Sequence, residues 1–185
     1  MTDKNFKSYE NEFAQLYGDV SLIPPHPLNW DDVMKVFRCT WCRWEGVEVV
    51  GGKEDCIDLG RESSDNTLED LTLTPNGKYV FTIKGGSNNN HFNGVYIMSK
   101  PSVVDIEVGN WSTHNYEKST GNRFNVAGHS DGSPVTYCYR LGCKVKFDST
   151  SKVKHLWWRS IGLTFYWWFK YVWHVILKRH DNMGH

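Results

Sequence analysis

The 185-residue chain has no excess of charge of either sign, with Lys plus Arg 21 and Asp plus Glu 21. Without a net field it has no global means of holding a polyanion, so a nucleic-acid partner is not expected and only local basic patches remain. The chain also lacks a basic start followed by an apolar core. Its first residues, MTDKNFKSYENEF, are polar, which argues against a secretory signal peptide and for synthesis in a cytosol. The five cysteines are an odd number, and in a cytosol they are expected as reduced thiols rather than disulfides. What the chain has in abundance is aromatic side chains, 15% of all residues. Of nine tryptophans, Trp157, Trp158, Trp167, Trp168 and Trp173 crowd together near the C-terminus.

Residues 40 to 113 repeat a strand-turn-strand phrase. Trp44, Leu68 and Phe92 fall 24 apart, followed at +3 by Val47, Leu71 and Val95 and at +5 by Val49, Leu73 and Ile97. A second alternating run closes each unit: Ile57 and Leu59, Phe81 and Ile83, then Ile106 and Val108 after a one-residue insertion. Alternation with period two predicts strands. A period of 20–30 residues predicts a solenoid whose coils stack at about 4.8 Å and bury together what none could bury alone. Asn66, Asn88, Asn89 and Asn90 suit the corners, where left-handed backbone and side-chain ladders are tolerated. A fourth return is read at Arg140–Val145 (RLGCKV), preceded by VTYCY as a closing strand, with THNYEKSTGNRFNVAGHSDGSP as a Gly/Asn-rich excursion between.

In EDCIDLGRESSDNTLEDLTL and FTIKGGSNNNHFNGVYI, the stretch from 35 to 150 resembles a right-handed parallel β-helix of the pectate-lyase-like kind. The resemblance is to an architecture's texture and not to a signature motif. The expected fold is all-β: a short β-helix of about four coils of 24–25 residues. The competing fold is an antiparallel sandwich of similar strands. Residues 1–34, with a polar stretch at Asn5–Tyr17 that has room for a helix, are expected to cap the open end. Residues 151–185 form a separate aromatic segment.

That segment, HLWWRSIGLTFYWWFKYVWHVILKRH, supports three readings. As a helix, residues 156–178 are expected to associate with a membrane or to span it, since about 20 residues between Arg159 and Lys178 match a bilayer's hydrocarbon, with Trp and Tyr at its interfaces and Lys170 costly unless it pairs or snorkels. As a helix it could instead dock on the solenoid or on a partner subunit. Its odd positions from Ile161 to Leu177 are all apolar, which also fits a strand. In each helical reading Trp157, Trp158, Arg159, Trp167, Trp168, Lys170 and Trp173 are the anchoring residues.

Pectate-lyase-like β-helices often carry polysaccharide lyase or hydrolase activity, and the resemblance implies Ca²⁺ on clustered carboxylates with a basic residue abstracting a proton. The only candidates are Asp55 and Asp58, near Glu54, with Arg61 and Lys84 on adjacent coils. The odd spacing of Asp55 and Asp58 places them on opposite faces of one strand, so a solvated strand edge is expected instead. Cys39 with Cys42 and Cys138 with Cys143 lie about four rungs apart, roughly 19 Å, too far for one zinc site. Consecutive His129, Ser130 and Asp131 do not form a triad. Neither metal nor cofactor is expected.

These readings favour a non-enzymatic structural or attachment protein over a small Ca-dependent lyase-like enzyme. By analogy of architecture, a virus or phage particle assembled in host cytosol would suit it. Its expected partners are other subunits of an assembly, further copies of itself, a membrane, or a glycan stacked on exposed aromatics.

Overall fold

A computed structural model describes residues 13–16, 32–60, 62–110 and 117–173. In chain order the strands are β1 (Phe13–Leu16), β2 (Asp32–Phe37), β3 (Arg43–Glu45), β4 (Glu48–Gly51), β5 (Asp55–Gly60), β6 (Thr67–Pro75) and β7 (Tyr79–Lys84). There follow β8 (His91–Ile97), β9 (Val104–Asn110), β10 (Asn122–His129), β11 (Val135–Tyr139), β12 (Val145–Phe147) and β13 (Val153–His155), and then the helix α1 (Trp157–Tyr171). The strands form two sheets, β1-β2-β5-β7-β9-β11-β13 and β12-β10-β8-β6-β3, with β4 also against β6. From β3 onward successive coils contribute to one sheet and then the other, giving a β-solenoid of about four turns with a C-terminal aromatic helix.

Among the described strands every pairing is parallel except β1 with β2. The antiparallel sandwich is thereby excluded. At the N-terminal end, Phe13–Leu16 is a strand and not part of a helix; the rest of Asn5–Tyr17 lies outside the described residues. β2 crosses the expected boundary at residue 34, so the first sheet already includes Asp32.

The period arises because equivalent apolar side chains stand at successive heights inside the stack. Trp44, Leu68, Phe92, Phe124 and Phe147 are paired one above the next. Phe92 and Phe124 stack with ring centres 4.2 Å apart. The facing sheet supplies Ile57, Phe81 and Ile106 in one column and Leu59, Ile83 and Val108 in another. All of these except Phe147 are buried. One residue per coil breaks the second sheet's strands with a positive φ, at Gly46, Asp70 and Gly94, 24 residues apart. Glycine or aspartate serves there because larger L side chains resist that conformation.

One corner is held by side chains. The Cys42 N–H donates to Asn66 Oδ1 at 3.0 Å, the Asn66 N–H to Asn90 Oδ1 at 3.2 Å, and the Asn90 N–H to Asn122 Oδ1 at 3.0 Å. Each amide's Nδ2 donates to a backbone carbonyl three residues before the equivalent place in the preceding coil: Cys39, Ser63 and Ser87. The spacing is 24 between Asn66 and Asn90 and widens to 32 between Asn90 and Asn122.

That widening corrects the reading of the fourth return. The opening strand is β10, inside the supposed excursion, and Arg140–Lys144 form a corner leading to β12. VTYCY is the closing strand expected, paired with β9. All five cysteines are buried thiols. Cys39 and Cys143 stand at opposite ends of the corner column, with hydrogen bonds from the Cys39 N–H to Ser63 Oγ and from the Ser119 N–H to Cys143 Sγ.

Candidate functional site

The first sheet's outward face carries a polar column. Lys35, Asp58, Thr82, Glu107 and Cys138 lie in register on β2, β5, β7, β9 and β11, with Asp32, Asp55 and Tyr79 beside them. The structure brings together three of the four residues considered for catalysis, Asp55, Asp58 and Lys84; Arg61 lies outside the described residues. The Lys84 ammonium stands 3.0 Å from Asp58 and 4.0 Å from Asp55. One carboxylate oxygen from each of Asp32, Asp55 and Asp58 lies within 4.8 Å of the others.

This overturns the expectation that Asp55 and Asp58 face apart. Cys56 and Ile57 both join the core cluster, so two successive residues point inward and the alternation restarts. Nor is this a solvated edge, since Asp55 and Asp58 are each only 3% exposed. Glu54 is the solvated member, and it pairs with exposed Lys78 at 2.5 Å. Asp32, the residue sequence reasoning missed, sits one coil back. Its Oδ1 accepts from the Asp55 N–H at 3.2 Å and its Oδ2 pairs with Lys35 at 2.9 Å. Running the register back by 23 residues from Asp55 would have found it.

Burial dominates the protonation of this cluster. It raises Asp55 to about 8 and Asp58 to about 6, against the pull of Lys84. Burial works against the charge of Lys84 too, but Asp58 and Asp55 outweigh it and hold the ammonium above the ordinary lysine value. Three clustered carboxylates are the ligand type of a hard cation such as Ca²⁺. The residues present do not fit one, because Lys84 and Lys35 already stand at salt-bridge distance and balance the charge from within. The cluster is best described as an internal ion network in which burial pushes Asp55 toward its protonated form.

Further along the same face, α1 lies over the sheet and leaves a cavity of about 440 Å³. Tyr79 and Glu107 line it from the sheet, and Trp158, Arg159, Leu163 and Tyr166 from the helix. Burial raises Glu107, with Arg159 opposing, and raises Tyr79 to about 12. A second cavity of about 330 Å³ lies between Tyr139, Leu141 and His155 of the last coils and Ile161, Thr164 and Phe165 of the helix.

The 157–171 segment is helical, which removes the strand reading there; residues 174–185 lie outside the described residues. The helix is turned inside out relative to a normal amphipathic helix. Its face toward the solenoid holds Arg159, Ser160, Leu163, Thr164 and Trp167, all half-buried. Ser160 Oγ accepts from the Tyr139 N–H at 3.1 Å, and Thr164 Oγ1 from the Leu141 N–H at 2.9 Å. The Arg140 guanidinium lies 3.9 Å over the Trp167 ring. Exposed on the helix's other sides are Trp157, Trp168 and Phe169, with Trp158 and Phe165 exposed at the cavity rims, and Trp173 follows. No residue of α1 is buried.

Of the expected anchoring residues, then, Trp157, Trp168 and Trp173 are exposed, Trp158 is exposed at the rim of the first cavity, Trp167 packs on Arg140 and Arg159 lines that cavity. Lys170 is half-buried, 5.7 Å over the Tyr166 ring. No helix among the described residues is long and apolar enough to cross a membrane. His129, expected in a polar loop, ends β10 and is buried, with Nε2 3.1 Å from Asp105 Oδ2. Asp131 pairs separately with Lys100 at 2.9 Å.

No protein-family model matches the chain, and neither a curated protein nor a solved structure matches it.

Proposed function

We propose that this chain is a non-enzymatic structural or attachment protein, held to an assembly or a membrane through α1. The observation that carries this reading is the helix's outward aromatic face. Trp157 is 65% exposed, Phe165 68%, Trp168 60% and Phe169 60%. Contiguous apolar surface of that kind marks an interaction site in a soluble fold. The solenoid is then a stiff support that presents its corners and loops on one side and its anchor at one end. Self-association into an oligomer, a glycan on the solenoid flank and a place in a virus or phage particle belong to the same proposal; the last rests on architecture alone.

The competing reading, a small polysaccharide lyase-like enzyme, needs carboxylates and a base facing substrate. Asp55, Asp58 and Lys84 are together, as that reading requires, but the two carboxylates are buried and Lys84 is paired with them. The two readings part in one pair of assays. Light scattering and lipid flotation of the full chain are compared with a variant carrying Trp157→Ser, Phe165→Ser, Trp168→Ser and Phe169→Ser. Loss of association with retained circular dichroism supports the anchor. Unchanged association in every assay, or turnover of acidic polysaccharide by the wild type with calcium, overturns it.

A further inference from the structure

Resting on the reading of α1 as an anchor, we infer that its partner is the surface of an anionic lipid bilayer, on which the helix lies in the plane of the headgroups. Three observations lead there.

The orientation of the helix is fixed by the fold. With Ser160 and Thr164 bonded to the backbone of Tyr139 and Leu141, α1 cannot roll to hide its aromatic face against the solenoid without breaking both hydrogen bonds. The face therefore stays turned away from the solenoid, open to an outside partner.

Its chemistry suits an interface more than a dry protein core. The outward positions are tryptophan, phenylalanine and tyrosine, with Ile161 the lone exposed aliphatic of the helix. Tryptophan and tyrosine favour the boundary between headgroups and acyl chains. A helix held sideways against its fold with an aromatic side turned away suits the plane of the headgroups.

Charge decides between lipid and a second copy. The chain as a whole is neutral, yet from Ser149 to His180 it contains no Asp or Glu. Lys144, Lys146, Lys152 and Lys154 are exposed on the last coils from which the helix springs. The one carboxylate among them, Asp148, is held by Arg123 at 2.7 Å. Two such ends brought face to face would repel, whereas an anionic leaflet attracts each lysine near its surface. Aromatic insertion and a basic flank are the paired signals that stable interfacial binding requires.

The test uses the full chain with vesicles of phosphatidylcholine alone and vesicles containing about a third phosphatidylglycerol, read by flotation and by quenching of tryptophan fluorescence with brominated lipid. Binding is expected to be at least tenfold tighter to the anionic vesicles and to weaken with salt, as surface electrostatics does, with quenching that reports shallow insertion. Phe165→Ser with Trp168→Ser should abolish it. Charge reversal at Lys144, Lys146, Lys152 and Lys154 should lower it about tenfold while leaving circular dichroism unchanged. The wild-type comparison of the two vesicles needs no variant and stands even where one misfolds. Equal binding to both vesicles overturns the headgroup assignment. Absence of binding to either, with oligomers that the Phe165→Ser/Trp168→Ser variant loses, overturns the lipid partner but leaves the anchor reading standing. Absence of both lipid binding and association removes the two together.

Discussion

Replacing Asn90 with alanine takes the middle rung out of the corner ladder. Asn90 Oδ1 accepts the Asn66 N–H at 3.2 Å and Asn66 Nδ2 at 3.0 Å. Its Nδ2 donates to the Ser63 carbonyl at 2.8 Å and to Asn122 Oδ1 at 2.9 Å. Asn66 Nδ2 would keep the Cys39 carbonyl, and Asn122 Oδ1 would keep the Asn90 N–H. The Asn66 N–H and the Ser63 carbonyl would lose these partners at a site where Ser63, Asn66 and Asn90 are fully buried. Each of the two groups costs about 1–3 kcal/mol, so the loss is expected to be about 2–6 kcal/mol, centred near 4. The proper control is Arg43→Ala, which removes exposed pairs to Glu45 and Glu69 and should cost about 0.2–1 kcal/mol. Urea denaturation followed by circular dichroism measures both. At a slope of about 2 kcal/mol per molar, Asn90→Ala should lower the midpoint by about 2 M with little change in slope. A shift no larger than that of Arg43→Ala would refute the claim that the corner amides hold adjacent coils together.

Two further outcomes follow from the interior. Asp55 is raised by burial from 3.8 to about 8, so between those pH values the folded chain holds a proton that the unfolded chain has released. Stability should therefore fall as pH rises from about 4 to 8, by on the order of a few kcal/mol. Asp55→Asn should flatten that slope, and thermal melts across the range would show an unchanged slope if the cause lies elsewhere. Phe124→Ala, between Phe92 at 4.2 Å and Phe147 at 5.8 Å, should cost about 3–5 kcal/mol through cavity formation. A loss under about 1 kcal/mol would mean that the stack collapses to fill the gap.

The solenoid is legible in the sequence because stacking forces equivalent side chains to recur: Trp44, Leu68 and Phe92 must repeat at the coil's length. The register is lost where the corner lengthens. Between Asn90 and Asn122 the interval is 32 and not 24, and β10 (NRFNVAGH) offers few apolar markers to recover it, so a chance likeness at Arg140–Val145 stands out instead. The acidic cluster is hidden by a different cause. Strict alternation separates Asp55 from Asp58, and only the structure shows that Cys56 and Ile57 are both spent on the core. The helix is ambiguous because almost every position is aromatic or apolar. Which side faces water depends on Ser160 and Thr164 finding the backbone of Tyr139 and Leu141, contacts that no local pattern encodes.

The regularity of the corner ladder makes the length of the rod a separable property. Asn66 and Asn90 receive and give the same hydrogen bonds, so the 24 residues from Thr67 to Asn90 begin and end at equivalent points. A chain with that stretch duplicated would present every coil with a neighbour of the kind it already has. It would be longer by one strand spacing, about 4.8 Å. The distance between the N-terminal end and the aromatic helix can thus be reset in whole coils by a single in-frame duplication or deletion, with the chemistry of neither end altered.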